Sequence, residues 1–184
     1  MYKRQGVNGI IAYKGKYNEL QANKAYFFFD NMMFCIGSDI SYVQNDNVLT
    51  SVEQNLLNGE VIYNDGQEKQ LSSNSNMQLK QLKWVYHNNT GYIFRGTDNV
   101  TIQNMPQAGS WKDINATGES GLIDKNVFCV WINHGLNPEN ASYQYIVVPD
   151  KSINAFRDLA EQIDLYIAQN DGSVQAIREG NKLS

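Results

Sequence analysis

Five residues with acid-base or anion-binding side chains lie close together in the sequence: His87, Asn88, Asn89, Tyr92 and Arg95. An imidazole and a phenol can transfer protons, and a guanidinium with amide groups can bind a carboxylate. Such a set would suit a compact proton-transfer site on one hairpin. The other interpretation is ordinary hairpin chemistry, in which Asn-Asn-Thr-Gly makes the turn and the tyrosine packs against a neighbour. Since side chains alternate between the two faces of a strand, we expect these five to be spread over two faces rather than to converge.

His134 and the three tryptophans are the other side chains that could contact a ligand. His134 ends an apolar run in Asn-His-Gly, where a hydrogen-bonded turn histidine is expected rather than a base or a metal ligand. Trp84, Trp111 and Trp131 could form a platform on which sugar rings stack. Trp84 and Trp131 lie within apolar runs, so core packing is expected for both. Trp111 lies beside turn residues and should be the most exposed of the three, although packing is favoured for it as well.

The spacing of possible ligands indicates neither a metal site nor a redox site. Residues 38–47 are rich in Asp and Asn, whose oxygens could hold calcium, but the spacing of a known calcium loop is missing and a solvated turn is expected. Cys35 and Cys129 each lie in an apolar run, which is typical of two buried free thiols. A disulfide between them would need adjacent strands and an oxidising compartment, and it stays as the alternative. We therefore predict no metal and no cofactor.

The composition favours one β-rich domain. The chain has 184 residues, enough to bury a sizeable core. Of all its residues, 18% are charged and 11% are aromatic. Many Tyr, Asn and Thr residues with few charges suit strands and turns better than helices. The formal net charge is -4 and no basic cluster offsets it, which argues against a nucleic-acid partner. The sequence has no transmembrane run and no visible signal peptide, so no membrane partner is predicted.

The most aromatic segment predicts a hairpin at the centre of the domain. Tyr26–Phe29 and Met32–Ile36 are apolar runs, and Asp30 and Asn31 separate them. Asx residues tolerate the geometry of a tight antiparallel turn. Few strands at a protein surface contain so many aromatic residues, so the segment is expected at the centre of a large β-sandwich.

The rest of the chain alternates apolar runs with turn signals and predicts about ten strands in all. Val48–Gln54 alternates apolar and polar residues and reads as a half-buried strand. Leu71–Gln78 is rich in Ser and Asn and is predicted as a polar loop. Val127–His134 is predicted as a long strand, and Ala141–Pro149 as the strand that returns beside it.

One helix is predicted near the C-terminus. Ser152 can cap it, and Ile153, Phe156, Leu159 and Ile163 recur at helical spacing.

Two short apolar runs follow the helix, at residues 165–168 and 174–177, and the Asn-Asp-Gly between them predicts a final hairpin. The fold class that results is all-β: an antiparallel β-sandwich with one short helix near the C-terminus.

Read in order, these segments resemble polysaccharide lyase family 8, which includes the hyaluronate, chondroitin AC and xanthan lyases. Lys24–Asp30 is similar to the family's Lys-x-Trp/Tyr-Phe-Phe-Phe-Asp run, and Cys35–Ser41 to its Leu-Gly-Ser-x-Ile continuation. Leu49–Gln54 is similar to its Thr-Thr-Ile-Asp-Gln strand. The other similar segments follow in the family's order and at similar spacing, namely Gly91–Phe94, Gly109–Asn115, Asn133–Gly135 and Tyr143–Pro149. The resemblance covers residues 7–178.

This resemblance implies a supersandwich of the galactose-mutarotase-like kind. Members of the family have a helical toroid, a central β-supersandwich and a C-terminal β-domain. Residues 6–164 are then expected to be the central sandwich, truncated at its N-terminus, and residues 165–184 the truncated start of the C-terminal β-domain. A secreted or periplasmic location is implied, with the signal peptide outside this sequence.

The first five residues have a separate interpretation. Met-Tyr-Lys-Arg-Gln at residues 1–5 is what GTGTATAAGAGACAG encodes when GTG is read as the start codon, and this is the end of a transposon adapter used in sequencing. We therefore expect residues 1–5 to be an artefact and the natural gene to continue upstream.

The activity that the resemblance implies is β-elimination on a uronic-acid polysaccharide. A base must remove the C5 proton, a neighbouring group must neutralise the C6 carboxylate, and an acid must protonate the departing O4 oxygen. In the family, Asn, His, Tyr and Arg residues do this work, and they come mainly from the toroid. Because none of their motifs is present here, we assign no catalytic residue and leave the substrate-binding residues unassigned.

Three functional hypotheses follow. The first is a non-catalytic sandwich fragment of a secreted lyase, which meets acidic polysaccharide through the intact enzyme and packs on the toroid and the C-terminal β-domain. The second is a stand-alone carbohydrate-binding module, which needs an exposed aromatic row on one sheet face. The third is a small enzyme built around His87 to Arg95.

Overall fold

The structure is a computed structural model, and it describes residues 8–29, 31–180 and 182–183. The expected adapter residues 1–5 and the turn residue Asp30 lie outside the described residues. Strands and two helices follow one another along the chain: β1 (Asn8–Tyr17), β2 (Leu20–Phe29), β3 (Met32–Ser41), β4 (Asn47–Leu56), β5 (Val61–Asn64), β6 (Glu68–Gln70), β7 (Ser75–Leu79), β8 (Trp84–His87), β9 (Thr90–Phe94), β10 (Val100–Gly109), α1 (Trp111–Ile114), β11 (Ile123–Leu136), β12 (Ala141–Val148), α2 (Ile153–Gln162), β13 (Leu165–Asn170), β14 (Gln175–Glu179) and β15 (Lys182–Leu183).

Three antiparallel sheets contain these strands. The largest has eight strands in the order β1-β2-β3-β12-β9-β8-β5-β6, and the second has four in the order β4-β11-β10-β7. The third is the small β13-β14-β15 sheet. The fold is therefore an all-β antiparallel sandwich, as the sequence predicted, although the described residues form more strands than the expected ten.

Each face of the eight-stranded sheet carries a separate hydrophobic core. The inter-sheet core fills the space between the eight-stranded and four-stranded sheets, and it includes Cys35, Tyr145 and Phe128. The helix-side core lies on the opposite face, where Phe34 and Ile146 meet Phe156 of α2. Because the middle of the large sheet is covered on both faces, its strands read as continuous apolar runs rather than as a clean alternation. This explains the aromatic weight of the β2–β3 hairpin.

Both short-range hairpins and the helix predicted from the sequence are present. β2 and β3 pair from Phe29 and Met32 outward, and β13 pairs with β14. Helix α2 begins after Ser152, whose side chain accepts a hydrogen bond from the backbone of Ala155. These elements are specified by local turn and cap chemistry, which a sequence displays directly.

The predicted pairing of the two long strands β11 and β12 is wrong. β11 pairs with β10 and β4 in the four-stranded sheet, whereas β12 pairs with β3 and β9 in the eight-stranded sheet. The segment between them, with Asn137 and Asn140 at positive φ, carries the chain from one sheet to the other. Both strands have buried residues on both faces, so their pattern does not identify a partner and nearness in the sequence misled the prediction.

Two further elements differ from the sequence prediction. The polar stretch 71–78 contains most of β7, which pairs with β10 as an edge strand. Ser75, Asn76 and Gln78 hide this strand from a composition-based prediction because an edge strand needs only one apolar face. The single-turn helix α1 was not predicted, although Ser110 and Asp113 form a capping box around it.

No helix among the described residues is both long enough and apolar enough to cross a membrane.

Candidate functional site

His87, the strongest acid-base candidate from the sequence, is a buried structural residue of β8. Its Nε2 atom accepts a hydrogen bond from the backbone N–H of Asn58 at 3.0 Å. Its ring lies 4.8 Å from the ring of Phe128 in the facing sheet. Burial lowers the pKa of His87 below the ordinary value of 6.5, while the carboxylate of Glu53 acts in the opposite direction. The imidazole is therefore held neutral, and its acceptor nitrogen is occupied by the protein itself.

Tyr92 also faces the inter-sheet core, where its hydroxyl donates a hydrogen bond to the carboxylate of Glu53. Burial and this carboxylate raise the pKa of Tyr92 far above its ordinary value of 10.0. A phenol in this setting is a poor proton donor or acceptor at neutral pH. Glu53 thus ties β4 to β9 across the sandwich.

Arg95 lies on the opposite face of the same hairpin from Tyr92. Its Nη2 atom donates to the carbonyl of Ile163 at 2.6 Å, and its Nη1 atom donates to the carbonyl of Leu165 at 3.2 Å. The guanidinium therefore binds the end of α2 and the start of β13 to the large sheet.

The two asparagines of the hairpin serve the turn. Asn88 and Asn89 have φ values of 47° and 60°, as a tight hairpin turn requires. Asn88 Oδ1 accepts from Asn58 at 2.9 Å, and Asn89 Oδ1 accepts from the Tyr86 hydroxyl at 3.2 Å. The five candidates are thus distributed over two faces and a turn, as the alternation predicted, and they do not converge.

His134 is a hydrogen-bonded histidine of β11. Its Nε2 atom lies 2.8 Å from the Thr50 hydroxyl, and its ring lies 6.0 Å from the ring of Tyr143. Burial, aided by the positive charge of Lys24, lowers the pKa of His134 from 6.5 to about 4. The expected structural role is confirmed, although the residue lies within a strand rather than in a turn.

The three tryptophans occupy three different environments. Trp84 is buried, and its ring meets the ring of Phe156 edge-on at 5.4 Å, as expected. Trp131 is only partly buried and is paired with Thr101 and Ser51 on the outer face of the four-stranded sheet. Trp111 is 58% exposed. Core packing was therefore the wrong expectation for Trp131, which faces outward, and packing was also wrong for Trp111.

A groove beside Trp111 has a lining that could contact a ligand. It has a volume of about 340 Å³, and Gln107, Ser110 and Lys125 line it together with Trp111 and Ile123. The indole and the ammonium can contact a sugar by stacking and hydrogen bonds. The amide nitrogen of Gln107 already donates to Cys129 Sγ at 3.8 Å.

The turn that holds Trp111 is rigidly built. Ser110 accepts from the backbone of Lys112 at 3.1 Å and donates to the carbonyl of Glu119 at 3.1 Å. Asp113 accepts from the backbone N–H of Ser110, which completes the capping box. The indole is therefore presented by a preorganised turn, which lowers the entropy lost on binding.

The described residues contain no group of three His, Cys, Asp or Glu side chains that could hold a metal ion. In the expected solvated turn, Asp46 accepts from the backbone of Asn47, and Asn137 accepts from the backbone of Asn45. Cys35 and Cys129 are buried and free. Because Cys35 lies in the inter-sheet core and Cys129 pairs with Gln103 and Gln54 in the other sheet, the free-thiol interpretation is confirmed.

The sequence did not reveal Glu53 as the partner of Tyr92. Strict alternation from Val48 and Thr50 would point Glu53 outward. A β-bulge at Val52 shifts the register, so that Ser51 is paired with Trp131 and Glu53 with Val130. A bulge adds one residue to one strand and so reverses the face to which each later side chain of that strand points. No residue type in this stretch indicates a bulge.

Two stacked antiparallel sheets with a helix and a small third sheet on one side define a super-sandwich domain. The model of polysaccharide lyase family 8, super-sandwich domain, matches residues 3–160. The chain belongs to polysaccharide lyase family 8.

Curated relatives of the chain are polysaccharide lyases. It is 38% identical to the chondroitinase-AC of Pedobacter heparinus over 144 residues, which is 78% of this chain and 20% of that protein. It is 28% identical to the xanthan lyase of Bacillus sp. strain GL1 over 186 residues, which is 95% of this chain and 20% of that protein. The chain thus spans about a fifth of the length of these relatives.

Solved structures of the family have the same fold. A chondroitinase AC lyase studied in complexes with oligosaccharides superposes with a TM-score of 0.86 at 33% identity, over 95% of this chain and 26% of that one. A Paenibacillus xanthan lyase superposes with a TM-score of 0.85 at 27% identity, over 94% of this chain and 18% of that one.

Proposed function

We propose that the chain is the non-catalytic super-sandwich of a secreted or periplasmic polysaccharide lyase. The longer polypeptide to which it would belong is called the parent protein below. The parent protein cleaves a uronic-acid polysaccharide of the chondroitin, hyaluronan or xanthan type by β-elimination. Within it, the sandwich supports a helical toroid, borders the substrate cleft, and continues after residue 164 into a C-terminal β-domain.

One observation carries this proposal: in a member of a lyase family, the acid-base candidates of the β8–β9 hairpin are engaged in structural bonds. His87, Tyr92 and Arg95 each have a partner in another element. Among the described residues, no buried side-chain nitrogen or oxygen lacks a hydrogen-bond partner. A catalytic group needs a free lone pair or proton aimed at the substrate, so the catalytic groups belong elsewhere in the parent protein.

The chemistry defines what that other part must supply. Removal of the C5 proton leaves an aci-carboxylate whose extra charge needs a cation or strong hydrogen-bond donors. A base and an acid must lie on either side of the sugar ring, within hydrogen-bond reach of C5 and O4. The sandwich contributes a rigid wall that holds this constellation in place.

The test is the ultraviolet absorbance of the unsaturated uronate product. The 184-residue chain is mixed with chondroitin, hyaluronan and xanthan, and the absorbance should stay flat. Sustained product formation that His87→Ala abolishes would overturn the proposal in favour of a small self-sufficient enzyme. His87→Gln, which retains a neutral hydrogen-bond acceptor, is the matched variant that separates loss of folding from loss of chemistry.

A second candidate function is a stand-alone carbohydrate-binding module, and the groove beside Trp111 favours it. The indole is exposed on a rigid turn, and Lys125 lines the same groove. Calorimetric titration with chondroitin, hyaluronan and xanthan oligosaccharides tests this function. Micromolar affinity that Trp111→Ala abolishes would support it, with Tyr17→Ala, an exposed aromatic on another strand, as the control. Absence of binding would exclude this second function and leave the first proposal, the sandwich of a larger lyase.

A further inference from the structure

The eight-stranded sheet is wider than the four-stranded sheet that faces it. At one end of the pair, the Tyr63 hydroxyl of β5 lies 3.9 Å from the Met77 sulfur of β7. Toward the other end, Glu53 of β4 binds Tyr92 of β9. β4 is the last strand of the described four-stranded sheet. The four-stranded sheet therefore covers the large sheet only as far as about β12 and β3, and β1 and most of β2 extend beyond it.

The uncovered part of the sheet continues the inter-sheet core, and it is apolar except for Lys24, which is paired with Tyr13. Ile11, Tyr13 and Tyr17 of β1 are 57%, 61% and 75% exposed. Ile11 is paired with Tyr26, which packs against the inter-sheet core, so Ile11 lies on the face of the large sheet that bears this core. Tyr13 and Tyr17 lie on the same face, because they are two and six residues further along β1. We call Ile11, Tyr13, Tyr17, Tyr26 and Phe28 the open face.

The charges of β1 avoid the open face. Lys14 and Lys16 are out of phase with Ile11 and Tyr13, so they lie on the opposite, helix-side face. Among the described strands, β1 pairs with β2 alone, over ten residues, and β4 pairs with β11 alone. Neither strand contains a proline, although Lys14 and Lys16 in β1 and the bulge at Val52 in β4 are features that edge strands also use. Two open sheet edges thus flank one uncovered apolar face on the same side of the sandwich.

We propose that further antiparallel strands of the parent protein cover the open face by extending the four-stranded sheet beyond β4. This inference rests on the proposed function, in which residues 1–184 are part of a longer lyase. Three observations select strands of the same polypeptide as the occupant. The open face is continuous with the inter-sheet core, the open edge of β4 offers its backbone beside that face, and the curated relatives have about four to five times the length of this chain.

The experiment compares thiol labelling in the 184-residue chain and in the parent protein expressed from the complete gene. Ile11→Cys places a reporter on the open face, and Ile10→Cys is the matched control, because Ile10 is 65% exposed on the opposite face. Both natural cysteines are buried. Both reporters should react rapidly in the 184-residue chain. In the parent protein, the reporter at position 11 should react at least about tenfold more slowly, while the reporter at position 10 stays fast.

Three outcomes overturn the inference. Equal rates at position 11 in both proteins would show that nothing covers the open face. Equal protection at positions 10 and 11 in the parent protein would show that the cover is not specific to this face. Protection at position 11 in the 184-residue chain, together with a dimer in analytical ultracentrifugation, would make a second copy of this chain the occupant.

Lyase activity of the same parent preparation separates this inference from the proposed function. An active parent protein with a rapidly labelled position 11 contradicts only the inference. An inactive parent protein with a protected position 11 contradicts only the proposed function.

Discussion

Several side chains that could take part in acid-base chemistry instead form hydrogen bonds that hold segments of the chain together. His87 accepts from a loop backbone, His134 binds Thr50, and Tyr92 binds Glu53. Each contact crosses between segments that are distant in sequence. The bond from Tyr92 to Glu53 joins the two sheets, whereas the bond between His134 and Thr50 joins neighbouring strands of the four-stranded sheet. A shift of either pair would leave polar groups unpaired, at a cost of about 1–3 kcal/mol each.

His134 should make stability depend on pH. Its pKa is lowered from 6.5 to about 4 in the folded chain. Between these two pH values the imidazole is protonated in the unfolded chain and neutral in the folded chain. Stability is therefore highest above pH 6.5 and falls as the pH decreases toward about 4. A shift of this size corresponds to a loss of about 3 kcal/mol over that range, and because solvent screens the partly exposed ring we expect a loss of about 2 kcal/mol.

Urea denaturation of the wild type and of His134→Gln at a series of pH values measures the contribution. Glutamine can still hydrogen-bond to Thr50 but does not titrate, so the difference between the two proteins should change with pH by the stated amount. A difference that is constant from pH 6.5 to about 4 would contradict the assignment.

Gly91 is the residue at which a single methyl group should do most harm. A Cβ atom there would overlap the ring of Phe156, which is fully buried in the helix-side core. We expect Gly91→Ala to lower the free energy of unfolding by about 1–3 kcal/mol, since α2 must shift to make room. Gly109→Ala is the control, because nothing lies within 4 Å of its added Cβ. Equal midpoints for the two variants in thermal unfolding would show that α2 does not pack as described.

Whole elements were predictable wherever local chemistry specifies them. The β2–β3 and β8–β9 hairpins and the cap of α2 were all visible in the sequence. The sheet to which β12 belongs was not visible, because its apolar residues face both ways and suit several neighbours. The inward facing of Glu53 was hidden by the bulge at Val52. Pairing partners and bulges depend on contacts between distant segments, which a linear pattern does not contain.

Arg95 is the link through which the large sheet holds α2 and β13. Its guanidinium binds two carbonyls that follow the helix, and it also stacks on Tyr166 at 5.8 Å. We expect Arg95→Met to lower the free energy of unfolding by about 1.5–3 kcal/mol, because both carbonyls lose a charged donor. Arg95→Lys should recover only part of this, since an ammonium cannot reproduce the forked geometry.

Arg178→Met provides the matched control, because Arg178 stacks on the same Tyr166 ring at 5.6 Å. Its loss should cost only about 0.5 kcal/mol, as for an exposed cation over an aromatic ring. Urea denaturation gives the free energies, and hydrogen exchange of the α2 amides should accelerate in Arg95→Met alone. Equal effects of Arg95→Met and Arg178→Met would mean that stacking, rather than carbonyl binding, holds the helix.

At the scale of the molecule, the chain combines a wide sheet that is covered on both faces at its centre with an uncovered apolar margin at β1 and β2. The acid-base candidates His87, Tyr92 and Arg95 are bound to other segments of the chain, and its curated relatives are polysaccharide lyases about four to five times as long. A rigid scaffold within a larger enzyme accounts for all three properties. Catalysis in the parent protein is therefore expected not to use the side chains of this sandwich.

The most direct measurement is the initial rate at which the parent protein forms unsaturated uronate product when it carries His87→Gln and Tyr92→Phe together. Both substitutions conserve shape while removing an imidazole and a phenolic hydroxyl, and circular dichroism would confirm that the protein is folded. We expect a rate within about twofold of the wild type. A loss of about a hundredfold or more in a folded protein, the size expected when a general acid or base is removed, would contradict it.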